Sequence, residues 1–476
     1  MANYMWNAGA GDFNAAKNWE VSGAVPTQPP GSGDFATFDG AGIVVTGTGT
    51  AQRLIFYTAQ IEGQLTATYG TAVNQDLTLD ESASLTTPRL GIPIDNSQGG
   101  GTLTVGKNAS VVITPFHTVD NPAIAVGDAA LADPEALAGT LLVQGVGAIV
   151  NGGNQPIYVG SHGVGLMKIS DGGVVTAGNG DCLIYPWALV IGNHATGTVD
   201  VSDATLTARG QIIVGRQATG TLTIGGCSVV AAEELYIGWS ASGTGSVSIS
   251  GNRARLFVTG LLDVAAAGGT GSLEVANDAV VSAGIGVVVN GTLTLDGGRI
   301  DATALAVNGT LVGAGKVTAP TGFENNAGTI EAQGLLILVG DLSNDGTINV
   351  DTGGELQCIG SLIGQGKIGL KTGAVASLAA VASTQAITFA GSSGKLVIRS
   401  PADFYGTISG FVKGDTIELD APATHGTFAA GVVNGVTGGV LTLTDAPGNV
   451  VAQLSMIGAY VTTDFKLNPP GVVQHT

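Results

Sequence analysis

GTVDVSDATLTARGQIIVG, residues 197–215, is followed by GTLTIGGCSVVAAEELYIG, residues 220–238. Laid over one another, the phrases place Val199 on Leu222, Val201 on Ile224, Leu206 on Val229, Ile212 on Leu235 and Val214 on Ile237. Ala204 falls on Cys227, which reads as a small inward core residue. The apolar matches recur at every second position, the period of a β-strand. Gly197 and Gly215 fall on Gly220 and Gly238, so the two phrases predict the same turns. Self-similarity at this period is the signature of a stacked architecture.

The opening phrase recurs as GTLTV from Gly101, GTLLV from Gly139, GLMKI from Gly165, GSVSI from Gly245, GSLEV from Gly271 and GTLTL from Gly291. A closing phrase recurs as IAVG at 124–127, IYVG at 157–160, LVIG at 189–192, IIVG at 212–215 and LYIG at 235–238. NAGTIEA at 326–332 returns as NDGTINV at 344–350. Three short strands per unit is the content of one coil of a parallel β-helix. No single coil can bury its apolar face, whereas a stack can. Roughly fifteen coils at about 4.8 Å each predict a rod on the order of 70 Å. The Asn290-Gly291, Asn308-Gly309 and Asp345-Gly346 pairs favour hairpin turns and so point toward a sandwich or propeller. The β-helix is preferred because repeat length varies by insertion at one place, as in solenoids. The expected organisation is a segment 1–40 that caps or connects, a solenoid over 41–380, and a C-terminal β module over 381–476.

Composition agrees. Of 476 residues, 77 are Gly and only 11% are charged, less than half the usual charged share of about 25%. Such a chain suits short strands and tight turns. The net charge of −19 disfavours nucleic acid, whose phosphates demand Lys and Arg, and anionic membrane surfaces. No apolar run is long enough for a membrane helix. Acidic loops make calcium the one candidate ion, and no other cofactor is expected. Three cysteines, Cys182, Cys227 and Cys358, stand far apart and form no disulfide framework. MANYMWNAGAGDF has neither a basic start nor an apolar core, and does not read as a secretory signal.

The N-terminal pattern Trp6, Gly9, Gly11-Asp12-Phe13, Asn18-Trp19, Pro26 to Pro30, Gly33-Asp34 and Phe38 resembles the start of passenger domains of bacterial autotransporter-like surface proteins. The GTLTV repeats resemble the passenger-associated repeats of the same proteins. ITFAGSSGKLVIRSPADFYGTISGFVKGDTIEL, 387–419, is similar to a C-terminal module of large secreted repeat proteins of Gram-negative bacteria. The resemblance implies a parallel β-helix outside the cell and brings no catalytic residues with it. The chain departs from it in having no membrane β-barrel after residue 420, which favours a separate export route such as type I secretion.

Enzymes built on β-helices need clustered carboxylates. Glu233-Glu234 is an adjacent acidic pair in the repeats, and its alignment with Gly210 places it at a corner. No GxSxG, HExxH, P-loop or CxxC is present. The two longest coils insert segments that carry His117, Asp120, Asp133 and Glu135, then Asp181, Cys182, Tyr185 and Trp187, with His194 after them. His117, Asp120, Tyr185 and Trp187 are the ligand-loop candidates, the last two by stacking on sugars. Aromatic residues collect at the two ends of the sequence, and Trp6, Phe13, Trp19, Phe404, Tyr405 and Phe411 are the candidate assembly contacts, with sealing of two cap cores as the competing role. The expected function is an extracellular or cell-surface structural protein whose partner is itself, assembled head to tail into surface or matrix filaments. The rivals are an adhesin rod that binds extracellular polysaccharide, and a polysaccharide-degrading or tailspike-like enzyme.

Overall fold

The inward residues of the repeated phrase sit directly above one another. Leu103, Leu141, Met167, Val199, Leu222 and Val247 form one column through parallel ladders in which each pairs with the next. All are at most 1% exposed. Leu90, Ile124, Ile157, Leu189, Ile212, Leu235 and Leu262 form a second column from the closing phrase. Each fully buried Leu, Ile or Val in such a column contributes about 1.5–3 kcal/mol of apolar transfer. The structure, a computed structural model, describes residues 1–93, 100–114, 122–128, 138–178 and 186–476. The chain is all-β, and its described residues divide into two compact units, Met1–Leu273 and Glu274–Thr476. Parallel coils make up most of each.

Two glycine columns set the corners of the first unit. Gly127, Gly160, Gly192, Gly215 and Gly238 all have φ between +71° and +77°. Left-handed backbone of this kind strains any residue with a Cβ. The second column is Gly139, Gly165, Gly197, Gly220 and Gly245, where a Cβ would lie 2.1–2.3 Å from neighbouring backbone. Each of these glycines packs its Cα on the amide of the first-column glycine that closes the preceding unit, and that amide donates one coil further back, as Gly215 N does to Ile191 O at 2.7 Å. At the next position of the first column Ala265 replaces glycine and keeps φ at +69°. Its amide makes the same bond, to Ile237 O at 2.7 Å.

The middle strand departs from the expected register. Leu206 pairs with Val230, not Val229. An extra residue is absorbed at the Gly225-Gly226 turn, where Gly226 has φ +63°, and the frame is recovered before Glu234, which pairs with Gln211. Because strand faces alternate, this one-residue slip exchanges inside for outside. Ser228 is buried, and Cys227 is exposed rather than in the core. Cys358 does sit inward, opposite Leu338, and burial pushes its thiol up to about 12. Cys182 lies outside the described residues.

In the second unit the ladder Thr292, Thr310, Thr329, Thr347, Lys367, Ala386, Thr407 advances 18 to 21 residues per coil. Asn290-Gly291, Asn308-Gly309 and Asp345-Gly346 do not make hairpins. None of these residues has positive φ, which a two-residue hairpin of type I′ requires at both positions. They are coil corners, and Asn308 Nδ2 donates to Asn290 Oδ1 at 2.9 Å while Asn326 Nδ2 donates to Asn308 Oδ1 at 3.1 Å. Inside, Asn325, Asn344 and Gln385 form a buried amide ladder.

Parallel stacking begins before residue 41 and continues past 380. Asn3–Trp6 already stacks on Phe35–Phe38, and Lys395–Ile398 stacks on Thr416–Leu419. The GTLTV phrase fades before 380 while parallel stacking continues, in coils that advance only 18 to 21 residues. Antiparallel pairing takes over beyond Leu419, where His425–Val433 and Val436–Thr444 form a hairpin closed by Asn434 (φ +48°) and Gly435 (φ +81°).

Candidate binding surfaces

On the outward face of the closing strands one column runs Thr37, Ile55, Ala72, Gly91, Ala125, Tyr158, Val190, Ile213, Tyr236. Most of its residues are small or apolar, whereas outward positions of the opening strands are mostly Thr and Ser, with Leu142, Leu166, Lys168 and Asp200 among them. Ala125, Val190 and Ile213 are fully buried although they point away from the coil interior. The sequence carried this signal: IAV, ALVI and IIV are apolar on both strand faces, whereas GTLTV alternates.

Where the column is smallest, a cavity of about 320 Å³ opens, lined among others by Arg53, Tyr57, Tyr69, Asn74, Arg89 and Asp128. Arg53 stands between two rings, 5.6 Å from the centroid of Phe35 and 5.1 Å from that of Tyr69. Such cation–π contacts orient the guanidinium without neutralising it. Among the described residues no carboxylate lies within ion-pair distance of Arg53. Arg89 Nη2 is 3.6 Å from Asp128 Oδ2, and its Nε–H is buried with no acceptor. Ile55 and Ala72 add apolar lining.

A polar ridge follows the first glycine column. Ser161 Oγ lies 3.5 Å from Asp128 and 3.3 Å from His162 Nδ1. These three are not a nucleophilic triad. Asp128 and Ser161 approach the same ring nitrogen, Nδ1, and Ser161 is 1% exposed, whereas a triad needs base and orienter on opposite nitrogens. The His162 and His194 rings stack at 5.0 Å. Partial burial, and then the neighbouring His162 and Arg216, hold His194 below its ordinary pKa. Arg216 Nη1 donates to Asn193 Oδ1 at 2.6 Å, and Arg216 Cζ lies 4.3 Å from the Trp187 ring centroid. One face of Trp187, a ligand-loop candidate, is therefore occupied by a guanidinium. Gln211 and Tyr236 both donate to Glu234 Oε2, at 2.6 and 3.0 Å. Burial first, then Glu234 and Asp263, push the Tyr236 hydroxyl up to about 12. Glu233 is exposed at a corner and Glu234 is turned outward on its strand, so the acidic pair does not converge. His117, Asp120, Asp133, Glu135, Asp181 and Tyr185 lie outside the described residues. Among the described residues no three His, Cys, Asp or Glu side chains are grouped to hold a metal ion, and no helix is long and apolar enough to cross a membrane.

The candidate assembly aromatics divide five to one. Trp6, Phe13, Trp19, Phe404 and Phe411 are at most 5% exposed, and Tyr405 is 59% exposed. Trp19 packs edge-on to Trp6 and Phe13 at 4.9 and 5.0 Å, and its Nε1–H donates to Phe13 O at 2.8 Å. Phe411 packs on Phe389 and Phe465. These five rings seal their own units and present no surface to a second chain.

The sequence reading missed the edge of the strand His425–Val433. Its inner edge pairs with Val436–Thr444. On the outer edge both backbone groups of Phe428 bond the Thr462 hydroxyl, at 3.0 and 3.3 Å. Antiparallel geometry aims the backbone groups of Ala430 and Val432 the same way, and no described strand pairs with them. Residues 429–433 carry no charge, and Val432 is 75% exposed. Natural edge strands are ordinarily protected by charge, proline or a bulge. No family model matches the chain, and neither the curated proteins nor the solved structures yield a match.

Proposed function

We propose that this chain is a non-catalytic structural β-solenoid of the bacterial exterior, a subunit of surface or matrix filaments built from identical copies joined head to tail. The open, uncharged edge at 429–433 is the observation that carries this reading, because an unpaired edge is a ready template for a strand of another chain. Filament growth requires that this edge meet a different edge of the next copy, since a heterologous contact that does not close propagates. The extracellular setting rests on the passenger-like motifs in the sequence.

Electron microscopy and size-exclusion chromatography of the full chain, with and without calcium, test the proposal against Val432→Pro. The Val432 amide faces away from its own hairpin, so proline removes an outward donor and leaves the inner ladder intact. Filaments in the parent that disappear in the variant, with the circular dichroism spectrum unchanged, are the expected result. Monomers at every concentration, closed dimers, or filaments that survive the substitution would overturn it.

A further inference from the structure

We infer that the cavity at Arg53 and Arg89 is a binding site for a carboxylated sugar ring, such as a uronic-acid residue. The inference is independent of filament assembly. It starts from a contrast of charge. The chain carries 36 acidic residues against 17 basic ones, yet among the described residues two guanidinium groups line one hollow with a single carboxylate, Asp128. Among the described residues Arg53 has no carboxylate within ion-pair distance, and Arg89 keeps a buried Nε–H without an acceptor. Among the described lining residues two guanidinium groups stand beside one carboxylate, a balance that suits a monoanion rather than a phosphate dianion. Arginine presents paired donors in the plane that a carboxylate needs.

The remaining lining selects the rest of the ligand. The Tyr57 and Tyr69 rings, with Ile55 and Ala72, offer apolar surface to the flat face of a pyranose. Asp128 supplies acceptor oxygens for ring hydroxyls. A volume of about 320 Å³ is at the small end of ligand sites, suited to one ring rather than an extended segment. The lining is drawn from neighbouring coils: Ile55 and Ala72 pair directly, and Thr71 pairs with Leu90, next to Arg89. The site therefore exists only when the coils are stacked.

Isothermal titration of the full chain with glucuronate and galacturonate, with glucose as the neutral comparator at equal ionic strength, tests the inference. The uronates should bind at least about tenfold tighter than glucose, and added salt should weaken them. Arg53→Gln and Arg89→Gln should each lower uronate affinity by about 10- to 100-fold, the range for a lost charge-assisted hydrogen bond. Arg53→Lys keeps the charge and should recover only part of the loss. Arg253→Gln, outside the cavity lining, should bind as the parent does, and unchanged melting temperatures exclude misfolding. A tetra-uronate that binds as well as the monomer assigns the site to polysaccharide, and one that fails to bind assigns it to the free acid. Uronates no tighter than glucose, or Arg53→Gln and Arg89→Gln variants with parental affinity, would overturn the inference.

Discussion

Ala265 offers a direct test of why the corners are glycine. It occupies the same column as Gly215 and Gly238, makes the same amide bond to the preceding coil, and holds φ at +69°. A left-handed conformation costs an L-residue about 1–2 kcal/mol, and the added unfolded-state freedom of glycine returns about 0.4–1 kcal/mol of that. Ala265→Gly should therefore stabilise the first unit by about 0.5–1 kcal/mol. The reverse change at Gly215 carries the same backbone strain and adds a clash, because a Cβ there would lie 2.3 Å from Thr244 O and 2.5 Å from Gly245 N. Both atoms belong to backbone of the next coil and cannot rotate away. With about 1–3 kcal/mol for overpacking added to that net backbone term, Gly215→Ala should cost about 1.5–4 kcal/mol. A long repeat array need not unfold in one step, so the assay is urea denaturation combined with amide exchange. Exchange at the Ala265 amide should slow in Ala265→Gly, and exchange at the Gly215 amide should accelerate in a Gly192→Ala or Gly238→Ala neighbour. If Ala265→Gly lowers the urea midpoint, or Gly215→Ala leaves it unchanged, backbone conformation does not govern these corners.

Three further outcomes follow from the buried polar groups and the ridge. Thr71 lies in the inward column between Leu54 and Leu90, 3% exposed, with its hydroxyl unpartnered; Thr71→Val should raise the urea midpoint by the equivalent of about 1–2 kcal/mol. Asp415 is fully buried and accepts the amides of Gly394 and Val412 at 2.8 and 2.9 Å, so Asp415→Ala should destabilise the second unit by about 2–4 kcal/mol, read by denaturation of the full chain. His194 has a folded-state pKa below its unfolded value of 6.5, which means the unfolded chain binds the proton more readily. Its contribution to stability is full above pH 6.5 and is lost as pH falls through 6.5 toward the folded-state pKa. Melting temperature against pH should show this slope in the parent and a shallower one in His194→Gln; equal slopes would remove His194 as its source.

The all-β class, the coil rhythm, the inward residues of opening and closing strands and both glycine columns were legible in the sequence. Each is a local consequence of strand alternation or of glycine's conformational freedom, repeated often enough to be read against itself. The middle strand was not legible, because a Gly-Gly turn can absorb one residue without trace, and that residue decides whether Cys227 or Ser228 faces inward. Nor was the turn at Asn434-Gly435 distinguishable from Asn308-Gly309. The same dipeptide closes a hairpin when its flanking strands pair with each other, and rounds a corner when they pair with neighbouring coils. The N-terminal and C-terminal aromatics could be noticed but not assigned, since only packing shows that five of the six candidates face inward. The cavity depends most on tertiary structure. Arg53, Tyr69, Arg89 and Asp128 share no motif, and coils of unequal length bring them together over small outward residues. Sequence determines what each coil repeats; stacking decides which distant residues of successive coils become neighbours.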